Sequence, residues 1–63
     1  MQPTTVEDWL NGMGLARYWT TFKDNGYDIT GALAGLNEAT LDLLGITLHG
    51  HRYLLIRKAK EIV

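Results

Sequence analysis

The stretch Leu43-Leu44-Gly45-Ile46-Thr47-Leu48-His49-Gly50-His51-Arg52 decides how this chain is read. Gly45 reads as the stop of a short helix, because glycine takes the left-handed backbone of a helix C-terminus without steric cost. Ile46 then reads as an apolar plug in the core. Gly50 opens a last helix that carries His51 and Arg52 in its first turn. That helix is predicted to start near Leu48 and to reach Ile62. Its inward face is formed by His51, Leu55, Ile56, Ala59, Ile62 and Val63, with Tyr53 and Leu54 off it.

Upstream, the apolar residues keep helical spacing. Thr4 with Glu7 three residues later reads as a capping box, after which Val6, Trp9, Leu10 and Met13 share one face. Gly12 and Gly14 end this first helix. Leu15, Tyr18, Trp19 and Phe22 repeat at i, i+3, i+4 and i+7 and define a second, with Tyr18 and Trp19 read as core and Asn25-Gly26 as its stop. Residues 28–36 are small and interrupted by Gly31 and Gly35, so the third helix is short. Asn37 caps a fourth over 38–44, with Leu41 and Leu44 inward. No strand pattern or internal repeat is read, and the expected architecture is all-α, a compact five-helix bundle with a longer C-terminal helix.

The set Val6-x-x-Trp9-Leu10, Leu15-x-x-Tyr18-x-x-x-Phe22, Leu36-x-x-x-x-Leu41 and the Gly45-to-Arg52 stretch resembles the sterile alpha motif (SAM) domain. The resemblance covers residues 4–63, read as one domain cut from a longer protein. It implies a protein-interaction module that binds another SAM domain, or itself, head to tail, in scaffolding or signalling. It also implies two surfaces. The end-helix surface comprises His49, Gly50, His51, Arg52, Tyr53, Arg57 and Lys58, and the mid-loop surface Asp24, Tyr27, Asp28, Glu38 and Asp42. Many relatives carry basic residues where this chain has Tyr53 and Leu54. The departure favours a contact with an apolar centre and a charged rim. From family habit the resemblance implies an intracellular location, in the cytoplasm with the nucleus left open.

Charge agrees with such a pairing. Residues 1–47 hold two basic residues (Arg17, Lys23) against six acidic ones, a net of −4. Residues 48–63 hold Arg52, Arg57, Lys58 and Lys60 against Glu61, a net of +3. An acidic body with a basic last helix attracts copies of itself or a relative, and charge sets the rate and selectivity of the encounter more than its affinity.

Sixty-three residues form one domain at most and bury only about 60% of the surface of the unfolded chain. With no cysteine there is no disulfide, and stability rests on an efficient helical core of the two Trp, three Tyr, one Phe and the aliphatics. No run approaches the ~20 apolar residues of a membrane span. His49 and His51 stand on different helical faces without a third ligand, so no metal and no cofactor is expected. Serine and cysteine are both absent, neither histidine has a nucleophile at sensible spacing, and a pocket of a few hundred Å³ is not expected in so small a bundle, so catalysis is not expected either. The alternative is the RNA-hairpin binding of Smaug-type SAM domains. It needs a concentrated basic patch, for which a chain of net charge −1 has poor credentials.

Overall fold

The computed structural model describes residues 5–62, and every described element is helical. Helix α1 spans Val6–Gly12 and α2 spans Trp19–Asp24, entered through a 3-10 turn over Ala16–Tyr18. A 3-10 segment over Thr30–Gly35 follows, then α3 over Glu38–Leu43 and α4 over His49–Ala59. Counting the 3-10 segment, and α2 with its entry turn as one, the five expected helices are present.

Three of the helices stop in the same way. Gly14, Gly26 and Gly45 have φ of +75°, +85° and +75°, a region that a Cβ makes costly. Each glycine N–H donates to the carbonyl three residues back, Asn11, Lys23 and Asp42 at 3.0, 3.1 and 3.1 Å. The next N–H donates five residues back, from Leu15 to Leu10, Tyr27 to Phe22 and Ile46 to Leu41, at 2.8, 2.8 and 3.0 Å. These are Schellman stops, in which paired bonds satisfy carbonyls that a helix end leaves open. Each also folds an apolar residue back over the last turn. Leu15 and Ile46 are buried, and Tyr27 meets Phe22 edge-on at a ring distance of 6.0 Å.

These stops aim short helices at one core. Val6, Trp9 and Leu10 of α1 join Leu15, Phe22, Leu33, Leu36, Leu41, Leu44 and Ile46, and α4 closes the cluster with Leu55 and Ala59. Phe22 has no exposed surface and also stands 6.5 Å from the Trp9 ring. Asn37 caps α3 as expected, its Oδ1 accepting from the Thr40 N–H at 2.9 Å.

Several expectations are corrected. Thr4 lies outside the described residues. The cap of α1 is Thr5, whose Oγ1 accepts from the Asp8 N–H at 3.0 Å. The third helix is a 3-10 segment, since two glycines in so short a stretch disfavour an α-helix. Helix α4 ends at Ala59 and not Ile62, because Glu61 and Ile62 donate to Lys58 and Ala59, three residues back, in a tightened last turn. Ile62 is nonetheless buried. Leu54, placed off the inward face, is half-buried against the core, as are Tyr18 and Trp19. Val63 lies outside the described residues.

Gly45→Ala is expected to destabilise the domain by about 1–2 kcal/mol, the cost of a side chain in the left-handed region. Gly12→Ala, in α1 with open space around the added Cβ, is expected to stabilise by ~0.5 kcal/mol. Urea unfolding of the two variants checks both signs.

Candidate functional site

Helix α4 presents two sides to the rest of the molecule. Its inward side is fixed by Leu55 and Ala59 and by His51, whose Nδ1 is hydrogen-bonded to the Tyr18 hydroxyl at 2.5 Å. The two rings meet edge-on with centroids 5.4 Å apart. His51 therefore ties the first turn of α4 to the start of α2 and is half-buried, whereas His49 and Gly50 are exposed.

Arg52 faces α3. Its Nε donates to Glu38 Oε1 at 2.8 Å and its Nη1 to Asp42 Oδ1 at 2.8 Å. Nη1 also donates to the Ile46 carbonyl at 2.9 Å and Nη2 to the Glu38 carbonyl at 3.0 Å. Nη2 lies 2.6 Å from Glu38 Oε1, completing a forked ion pair. The Arg52 side chain is only 15% exposed, against 71% and 68% for the two carboxylates. The bonds to Asp42 first, and to Glu38 second, push the guanidinium still further above its ordinary pKa, so it is charged at every working pH.

This clamp regroups the residues singled out in the sequence. Arg52 of the end-helix set meets Glu38 and Asp42 of the mid-loop set inside one molecule. The remaining mid-loop residues stand apart at the end of α2: Asp24 and Asp28 are exposed, and Tyr27 is half-buried on Phe22. Lys58 is half-buried, with its Nζ 3.9 Å from Glu61.

Next to the clamp an open groove of about 750 Å³ runs along the outer flank of α4. Its walls come from His49, Arg52, Tyr53, Ile56, Arg57 and Lys60, with Glu38 across from them. So small a bundle was not expected to offer this volume, and it does so as a surface groove. Tyr53 is 59% exposed and its hydroxyl accepts from Arg57 Nη1 at 2.7 Å, with the guanidinium 5.9 Å from the ring centre. That bond raises the Arg57 pKa above its ordinary value. Among the residues lining the groove, Tyr53 and Ile56 are apolar and Arg57 and Lys60 are cationic. Ile56 and Lys60 were not singled out as site residues. The signal was available, since 49, 52, 53, 56, 57 and 60 follow helical spacing along one stripe.

Residues 2–63 match the family model of the SAM domain (sterile alpha motif). This chain belongs to the SAM domain family. It is 33% identical to human ephrin type-A receptor 5 over 58 residues, 92% of this chain and 6% of the receptor. It is 33% identical to rat Caskin-1 over 64 residues, 97% of this chain and 4% of that protein. Identity to human ephrin type-A receptor 8 is 40% over 48 residues, 76% of this chain and 5% of the receptor. The chain thus spans a small fraction of the length of these relatives. SAM domains generally serve as protein-interaction modules, and that coarse function holds for this one. Among the described residues no helix is long and apolar enough to cross a membrane.

Two stability effects follow from these contacts. Tyr18→Phe should cost about 0.5–1.5 kcal/mol by removing the partner of His51. Arg52→Ala should lower the midpoint of thermal unfolding, and Arg52→Lys should recover only part of the loss, because one ammonium cannot reproduce the fork that reaches four acceptors. Circular dichroism melts of the three variants check this ordering.

Proposed function

We propose that this SAM domain joins a second SAM domain head to tail, with the groove flank of α4 as one docking face and the acidic end of α2 as the other. The observation that carries the reading is the make-up of the groove: an exposed aromatic and a half-buried isoleucine lining it together with cations. Interfaces take this form when a buried aromatic anchor supplies affinity and charge selects the partner. Tyr53 is the anchor, and Arg57 and Lys60 the selecting charges, with His49 and Gly50 at the edge. The complementary face comprises Asp24, Tyr27 and Asp28.

Its own copy is the first partner to test, because one molecule carries both faces. A contact between unlike faces is heterologous and propagates into open assemblies, while a single competent face yields a pair with a different SAM domain. Micromolar affinity is the rough expectation for a small interface. The reading treats residues 4–63 as one module of a scaffold or signalling protein in the cytoplasm.

Arg57→Glu and Asp28→Lys test the arrangement by complementation. Each variant alone is expected to lose concentration-dependent assembly, since each blocks one face. Mixed, they should form a 1:1 dimer through the two intact faces, read by size-exclusion chromatography with light scattering. Undiminished assembly by both variants, or no dimer on mixing two variants that have lost assembly, sinks the two-face arrangement.

A further inference from the structure

We infer that Glu38 and Asp42 act as an internal competitor for the cationic groove, holding the charge of Arg52 so that an acidic partner meets a weakened field. The inference rests on the reading of the groove as a docking face and adds a control built into it. The partner it addresses is an acidic protein segment with an apolar side chain, chosen by complementarity to the cations Arg57 and Lys60 and to the apolar Tyr53 and Ile56 that line the groove.

Two pairs of observations carry it. Arg52 lines the groove, and its guanidinium is engaged by both carboxylates at hydrogen-bond distance. The carboxylates are largely exposed while Arg52 is not, and Glu38 itself lines the groove across from the cations, with Asp42 on the same guanidinium. Arg52 is also held by two backbone carbonyls, those of Glu38 and Ile46, and these hold the guanidinium whatever the charge of the side chains. The fork is thus anchored by the backbone and neutralised by the side chains. Arg52, Arg57 and Lys60 contribute three positive charges along the groove, and Glu38 with Asp42 offsets two of them. Unmasking needs only the loss of those two charges and no movement of α4.

The test is the double variant Glu38→Gln/Asp42→Asn in the 63-residue chain. Each amide keeps an acceptor oxygen where the carboxylate had one, so Arg52 stays in place while two negative charges disappear. The probe is a fluorescein-labelled peptide of glutamates with a central leucine and tyrosine, titrated at low salt by anisotropy. The double variant is expected to bind about three- to tenfold more tightly than the parent chain, from two exposed charge terms of ordinary size. The gain should shrink in moderate salt and vanish when Arg57→Gln and Tyr53→Ala are added. Single Glu38→Gln and Asp42→Asn variants, each expected to give part of the gain, keep the test decisive if the double variant melts early. Equal or weaker binding by folded variants overturns the masking while leaving the groove as a docking face. No saturable binding by parent or variant overturns both.

Discussion

The left-handed glycine stop is the constraint on which the rest of this structure depends. Helices α1, α2 and α3 have six or seven residues each, far below the ~12–15 at which an isolated helix becomes even marginally stable in water. None of them persists on propensity. Each exists because its end is closed by paired backbone bonds and because the residue after the glycine is folded back onto the helix it leaves. The result is a core assembled from turn ends as much as from helix faces: Leu15, Tyr27 and Ile46 are all such returning residues.

The third stop also builds the site. Gly45 turns the chain so that Ile46 enters the core while its carbonyl faces Arg52. Arg52 gathers that carbonyl, the Glu38 carbonyl and two carboxylates, which fixes α3 against α4 from both ends of α3. With His51 held by Tyr18 one residue earlier, the first turn of α4 is pinned on two sides. The helix that carries the groove flank is thus anchored at its first turn, and a face on an anchored helix loses less freedom on binding than one on a mobile segment.

Much of the fold was legible because apolar periodicity and glycine stops are local signals. The inward faces of α1 and α2, the Asn37 cap and the buried plug at Ile46 all follow from neighbours within a few residues. The cap of α1 was misplaced by one because two registers satisfy the same pattern: Thr4 precedes Glu7 by three, and Thr5 precedes Asp8 by three. The same local pattern, an apolar residue, three others, glycine and another apolar residue, recurs at 10–15, 22–27 and 41–46 and marks all three stops. The Arg52 clamp was not legible, since its carboxylates lie fourteen and ten residues away and only tertiary packing brings them near. For the same reason a list of acidic residues could not separate Glu38 and Asp42, which face α4, from Asp24 and Asp28, which face solvent.

Charge asymmetry along the chain therefore overstates what a partner meets, because part of it is consumed between α3 and α4. Tyr53, in the groove on one flank of α4, and the exposed Asp24 and Asp28 at the end of α2 stand outside the Arg52 clamp. The most direct test is the amide spectrum of the 15N-labelled domain recorded across a wide concentration range at low salt. The account predicts shifts that grow with concentration at residues 49–60 on the groove flank and at 24–28, and that fade as salt is added. An unmoved groove flank at every concentration, or shifts confined to other faces, would contradict head-to-tail docking of the domain on itself.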